Sequence, residues 1–457
     1  MSKLQPKDVS DSLVCLPPAP AIPKLVQAVA FSISRRRTAD VLSRRYGNAF
    51  TLNLPAFGRT VMIADKDLIK EVYSADPNQL GAPHAVVNGV FGPGSVFNLD
   101  GDEHRQRRRL VTPPFHGKAV RKYESIVEEE TLQEIAKWPE DREFPTYDTM
   151  LHITLSTILR AIFGARGDEL EALRRILPPW VTLVSRLALV PRPSRTYGRY
   201  TPWGRLAELR RQYDQVINKV MDRAENEPDF SDGTDVLTLL MHSSYEDGSK
   251  MTRGQIADEL LTFLGAGHET TAATLSWVFE RISRYPDVLA ALVEESRTDA
   301  GELRQATIYE VQRNRTVVDF VAREVHSPVY QLGNWTVPQG YSIVVSIPLM
   351  HQNADAFPDP QRFDPYRFVH SKPSAYTSFF MPFGGGTRRC VGAAFANMEI
   401  NVVLRTVLRH CAIVASTAQG ERYHSRGITW TPKEGGKIMI HRRKEVQTVK
   451  QWSAASG

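Results

Sequence analysis

Residues 383–392, F-G-G-G-T-R-R-C-V-G, place one cysteine, Cys390, among glycines and directly after Arg388 and Arg389. An apolar run at helical spacing, Val391–Cys411, follows at once. A helix N-terminus carries partial positive charge and free N–H groups, and both stabilise a thiolate. The glycines let backbone approach the sulfur closely. No second Cys or His lies at ligand spacing, so the stretch is not a zinc site. A lone thiolate held this way suits a nucleophile or the axial ligand of a haem. The bland alternative is a Gly-rich turn ahead of a helix, with an inert buried cysteine.

The strongest helix signal lies upstream, at Met251–Tyr285. Thr252 and Gln255 form a capping box, Ile256 to Ile282 keeps helical apolar spacing, and Pro286 stops the run. A helix apolar all round and about 50 Å long belongs at the centre of a domain. Its middle, G-A-G-H-E-T-T at Gly265–Thr271, breaks the packing rules. Two glycines weaken a helix by about 1 kcal/mol each relative to alanine. An acid and two hydroxyls in such a place are costly unless paired or functional. The composition predicts a local opening of the helix, with threonine bonding the freed carbonyls. His268 reads as a satisfied core histidine rather than a ligand. In Gly101–Leu110, His104 and Arg108 stand four apart and share a helix face, a spacing suited to carboxylates such as haem propionates.

These stretches together resemble the cytochrome P450 family. The pattern F-x-x-G-x-R-x-C-x-G is present as Phe383, Gly386, Arg388, Cys390 and Gly392. The resemblance implies that Cys390 is the axial haem ligand, with Phe383, Gly384, Arg388 and Gly392 around the haem b (iron protoporphyrin IX). It implies that His104, Arg108 and Arg323 contact the propionates. The oxygen-activation pattern of the family is matched by Ala266, Gly267, His268, Glu269, Thr270 and Thr271. That chemistry needs protons delivered while bulk water stays out, and an acid beside a hydroxyl can relay them. Glu269 is therefore expected as proton source and Thr270 as the hydroxyl that orders water. The family's E-x-x-R pair is expected at Glu310 and Arg313, joined by Arg367 from F-D-P-Y-R-F. Two departures stand out: Tyr366 where the family usually has Glu, and Thr316 where it commonly has Pro. Asp319 is an uncommon charge in a pocket-lining segment and is expected to face away.

Composition agrees with a globular chain: 457 residues, 42% apolar, 24% charged, net charge +6. Three cysteines, Cys15, Cys390 and Cys411, make no disulfide framework, which fits a reducing cytoplasm. Basic clusters are interleaved with acids and accompany no recognition motif, so nucleic acid is not expected as a partner. The most apolar N-terminal piece, Ile22–Ile33, is too short to span a bilayer, although peripheral membrane contact stays open. Eukaryotic microsomal relatives carry an anchor, so the resemblance points to a soluble bacterial member, with an Arg/Ala-rich composition of actinobacterial type.

The expected architecture is mainly α with a small β region: the cytochrome P450 fold, its long central helix over the haem. Residues 1–35 read as an extended lead-in, 36–443 as one catalytic domain and 444–457 as a disordered tail. Gly81–Asn98 reads as a long functional loop. Pro178–Gly204, apolar and proline-broken, reads as a lid over the pocket or a core helix pair. The expected function is insertion of one oxygen atom from O2 into a lipophilic fatty acid, terpenoid, steroid or aromatic. Electrons would come from a separate ferredoxin and ferredoxin reductase, docking on Arg105–Arg109 with Lys118, Arg121 and Lys122. Alternatives with the same haem are oxidative coupling, desaturation or peroxide-driven oxygenation. A haem sensor without turnover and a cysteine hydrolase fit less well.

Overall fold

A computed structural model of the chain describes residues 14–54, 57–83, 90–187, 198, 200–226, 235–298, 300–371, 373–376 and 378–443. The helices that position the site are α1 (Lys24–Ile33), α2 (Arg35–Tyr46), α3 (Gly101–Val111), α4 (Thr146–Ala161), α5 (Gly167–Leu187), α6 (Pro202–Asn226), α7 (Arg253–Ile282), α8 (Glu302–Asn314) and α9 (Ala393–His410). One mixed sheet stands beside them: β1 (Ala49–Leu54), β2 (Gly58–Ile63), β3 (Leu80–Gly81), β4 (Phe320–Val325) and β5 (Ser342–Ser346), in the spatial order β1-β2-β5-β4-β3. The β2–β5 pair is parallel and the others are antiparallel.

The 30-residue α7 is the axis of the molecule. Thr252 accepts from the Gln255 N–H, and the Gln255 side chain accepts from the Thr252 N–H at 2.8 Å, so the capping box is complete. The N-terminal half of α7, through Leu264, packs into a core with Trp180, Tyr213 and Ile217. Its C-terminal half, from Ala272, packs into another core with Val403, Leu404 and Ile308. Gly265–Thr271 falls in the gap between the two. The helix is not opened there, contrary to expectation. Thr270 instead bonds its own helix, Oγ1 to the Ala266 carbonyl at 2.6 Å. A back-bond of this kind gives the hydroxyl a partner without freeing any carbonyl.

One segment folds differently from the sequence reading, and another takes the helical one of its two readings. Residues 24–33 form α1 instead of an extended lead-in. Gln27 and Phe31 are buried, while Leu25, Val26, Val29 and Ile33 face outward. Gln27 ties the helix to β1 by accepting from Asn53 N–H at 2.9 Å. The prolines 178 and 179 lie inside α5 and do not break it. A proline inside a helix costs about 3 kcal/mol or more. Here Leu173, Ile176, Leu177, Trp180, Val181 and Val184 are buried along one face on both sides of the pair, which offsets that cost. Gly204 lies in α6. Residues 188–197, 227–234 and 444–457, and 84–89 of the expected Gly81–Asn98 loop, fall outside the described residues.

The Glu310, Arg313 and Arg367 cluster forms as expected. Arg313 is bidentate on Glu310, at 2.7 and 2.8 Å, and Arg367 Nε approaches the same carboxylate at 3.3 Å. Arg313 also donates to the carbonyls of His351, Pro360 and Arg362, which fastens the 351–367 segment to α8. The two departures are absorbed locally. Thr316 bonds the carbonyls of Gln312 and Arg313 at the end of α8, and Tyr366 is half-exposed.

Candidate functional site

The Cys390 loop is shaped by close packing against its neighbours. Gly386 has φ +67°, and a Cβ there would collide with the Tyr73 backbone. The Cys390 N–H closes the loop on Phe383 O at 3.0 Å. Gly392 then caps α9. Cys390 opens into a cavity of about 450 Å3 and is otherwise enclosed by protein. Burial pushes its thiol pKa up, opposed by the Gly392 N–H, Arg389 and Arg108. A metal bound at the sulfur would remove the proton outright. Among the described residues no group of three or more His, Cys, Asp or Glu is placed to hold a metal ion. Cys390 therefore stands as a single sulfur donor.

His104, Arg108, Arg323 and Arg388, far apart in sequence, line that same cavity. Arg108 donates to Arg389 O at 2.8 Å, next to the cysteine. Arg323 donates to Gly385 O at 3.2 Å, and Arg388 pairs with Asp100. Burial, with Arg388 and Arg108 nearby, drives the His104 pKa down to about 3, so His104 is neutral at pH 7. Burial and then Arg388 bring Arg323 down to about 10, so it stays charged. Among the described residues, Arg388 has the carboxylate of Asp100 as ion-pair partner, and Arg108 and Arg323 have none within ion-pair distance. Arg108, Arg323 and Arg388 thus line the cavity with one carboxylate partner between them among the described residues. That imbalance, a single thiol and apolar walls from Phe263, Val321 and Ile347 fit a haem carrying two carboxylates.

The α7 residues divide. Ala266, Gly267, Thr270 and Thr271 line the cavity. Glu269 does not. Its carboxylate points away and accepts from Ser185 of α5 at 2.5 Å and from the Tyr147 hydroxyl of α4 at 3.3 Å. Burial raises its pKa, with the Ser185 and Tyr147 bonds opposing. The structure therefore separates the two residues expected to act together. His268 is buried, shares a 3.0 Å contact with Thr154, and is pushed down to a pKa of about 4 by burial. Asp319 turns away from this cavity toward Arg36 and Trp430.

Sequence reasoning missed several partners. Arg107, read as part of a basic docking run, points inward. It is 2% exposed and pairs with Glu259 at 2.8 Å. Ser185, Tyr147 and Asp100 carry no motif, because only the fold brings them to Glu269 and Arg388. Glu399 of α9 borders the cavity at 1% exposure, and burial raises its pKa to about 8.

Comparison with known proteins follows the same lines. The family model described as Cytochrome P450 matches residues 16–437. A Mycobacterium tuberculosis chain provisionally named cytochrome P450 138 is 58% identical over 443 residues, covering 97% of this chain and 100% of that one. Another from the same organism, provisionally named cytochrome P450 135B1, is 36% identical, covering 96% and 94%. A cyanobacterial P450 solved with retinoic acid bound has a TM-score of 0.81 at 19% identity, covering 94% of this chain and 100% of that one. The haem domain of cytochrome P450DA gives the same TM-score and identity, covering 94% and 98%. Among the described residues no helix is long and apolar enough to cross a membrane.

Proposed function

The chain belongs to the cytochrome P450 family, haem-dependent monooxygenases among the oxidoreductases, and we propose from that premise that it inserts one oxygen atom of O2 into a lipophilic small molecule. The observation that carries the reading is that Cys390, Thr270, Arg108, Arg323 and Arg388 open into one largely apolar cavity. When bound, haem b supplies reduction of dioxygen and insertion of one oxygen atom, the other leaving as water.

The chain's own residues bind, orient and manage protons. Cys390, held by its loop and by the helix N-terminus behind it, would supply the thiolate that holds the haem iron. Arg108, Arg323 and Arg388 with His104 would hold the two propionates. Phe383, Gly384, Gly392 and Ala266 would supply walls for the haem. Thr270 presents its hydroxyl to the cavity and orders water there. Glu269 stores the proton beside it, and burial favours its protonated form. Because Ser185 and Tyr147 hold the Glu269 carboxylate on the far side of α7, delivery requires that side chain to leave them and rotate toward Thr270.

Electrons come from a separate ferredoxin and its reductase in the cytoplasm. The exposed cations Arg105, Arg109, Lys118, Arg121 and Lys122 face the acidic carrier, without the inward-turned Arg107. The test is turnover of a lipophile under labelled dioxygen with a ferredoxin system. One labelled oxygen atom in the product supports the reading. Electron consumption with no labelled product overturns it.

A further inference from the structure

Twelve large apolar side chains are exposed among the described residues, and six of them are Ile22, Leu25, Val26, Val29, Ile33 and Val41, on α1, just before it and on α2. Scattered exposed apolar side chains are ordinary, but a contiguous group marks a contact surface. Positions 22, 25, 26, 29 and 33 keep helical spacing and form one stripe along the outer side of α1. Leu25 and Ile33 are 76% and 78% exposed. The inner side of the helix is fixed: Phe31 is buried with Phe50 and Leu52 of β1, and Gln27 holds the Asn53 N–H. The stripe cannot roll inward without giving up that packing.

Charge is concentrated in the same place. Residues 14–63 carry seven Lys or Arg and one acid, Asp40. That excess equals the net charge of the whole chain, +6, so the remainder of the chain is balanced. Arg35 and Arg36 turn inward to Asp319, and Arg44 pairs with Asp40 at 3.1 Å. Lys24, Arg37 and Arg45 are exposed and form no ion pair among the described residues. Ala39 and Leu42 of α2 are buried in the same cluster as Phe31, and Thr38 donates to Ala30 O at 3.0 Å, so the outer sides of the two helices adjoin. Arg37, Val41 and Arg45 continue on α2 the outward stripe that begins on α1.

We propose that the outer sides of α1 and α2 dock the protein on an anionic phospholipid bilayer, with α1 lying in the plane of the interface. An aliphatic stripe edged by cations matches such a surface: the side chains enter the acyl boundary and the cations meet the lipid phosphates. A protein partner is a poorer match, because protein interfaces favour Tyr, Trp, Phe and Met, and this stripe holds only Ile, Leu and Val. The ten residues of α1 are about 15 Å long, half the thickness of a hydrocarbon core, so the helix rests on the bilayer and does not span it.

The experiment is sedimentation of the full haem-loaded chain with two kinds of vesicle, phosphatidylcholine alone and phosphatidylcholine mixed equally with phosphatidylglycerol. A cation at an anionic surface contributes about fivefold to binding. The mixed vesicles should therefore bind the protein at least about tenfold tighter than the neutral ones, and high salt should weaken that binding. Lys24→Gln, Arg37→Gln and Arg45→Gln together should lower the affinity on the order of a hundredfold. Arg105→Gln, Arg109→Gln and Lys118→Gln together change the net charge equally from a different face and should lower it by less than about threefold. Leu25→Ser with Val29→Ser should also weaken binding, by about tenfold or more. All these side chains are exposed, and an unchanged carbon monoxide spectrum and circular dichroism show that each variant folds. Absence of binding to the mixed vesicles overturns the proposal, as does equal binding to both kinds. So does equal loss from the two charge sets, or full binding by the Leu25→Ser and Val29→Ser variant. A dimer in lipid-free solution that this variant dissociates overturns it too, because a second copy then covers the stripe.

Discussion

Glu310→Gln is the substitution whose cost the structure sets most closely. Glu310 is wholly buried and is the shared anion of two guanidiniums. It accepts two N–H groups from Arg313, at 2.7 and 2.8 Å, and the Asp364 backbone N–H at 3.0 Å. The glutamine keeps the volume and removes the charge. Arg313, with no exposed side-chain surface, then retains only carbonyl partners, and Arg367 loses its ion pair. Breaking a buried pair from one side costs about 3–5 kcal/mol. With two cations stranded, the upper part of that range is expected. Arg367→Met removes one partner at 3.3 Å and leaves the bidentate pair intact, so a smaller cost than that of Glu310→Gln is expected from it. The assay is urea unfolding of both variants, followed by circular dichroism and by haem release, because a bound cofactor breaks simple two-state behaviour. Loss of haem ahead of secondary structure is expected for Glu310→Gln, since Arg313 fastens the 351–367 segment to α8. A Glu310→Gln cost below about 1 kcal/mol, or an Arg367→Met variant equally damaged, would refute the reasoning.

Three further outcomes follow from particular side chains. Glu399 has a folded pKa of about 8, above its unfolded value, so its stabilising contribution is complete at low pH and fades as pH rises to about 8. Glu399→Gln cannot ionise, so the stability of the variant relative to the unmodified protein should improve between pH 5 and pH 8. A constant difference would show that Glu399 does not titrate in that window. Thr270→Val removes a cavity-facing hydroxyl whose own hydrogen bond is local, so stability should change by less than about 1 kcal/mol while more of the electrons consumed end as peroxide. Unchanged coupling would remove Thr270 from the proton path. Reversing charge at Arg105, Arg109, Lys118 and Arg121 together should slow reduction by ferredoxin steeply at low salt and little at high salt. A rate indifferent to the reversal would place the docking face elsewhere.

What the sequence discloses depends on whether a signal is local. The Cys390 loop and the Thr252 capping box are short-range patterns, and both appear in the structure where they were read. The Glu310–Arg313 spacing is also local. Arg367 could be matched to it only through the family resemblance, because no periodicity links positions 310 and 367. The helical course of residues 178–187 stayed one of two readings because proline is a strong local breaker, whereas the burial of Trp180, Val181 and Val184 is a property of the whole core. Helix α1 was hidden for the opposite reason. Leu25, Val26, Val29 and Ile33 face outward while Gln27 and Phe31 face inward, so its pattern does not report the packed side. Glu269 was rightly singled out as a costly acid, but adjacency to Thr270 says nothing about direction. Neighbours on a helix point about 100° apart, and Ser185 and Tyr147 decide where the carboxylate goes. The inward turn of Arg107 depends on Glu259, 152 positions away.

The central claim is that Cys390 binds haem as a thiolate. The direct measurement is the absorption spectrum of the reduced protein with carbon monoxide, taken beside a Cys390→Ser control. The account predicts a Soret band at the red-shifted position that gives the family its name, abolished in the control. A band at the ordinary haem-protein position in the unmodified chain, or no haem bound at all, would contradict it.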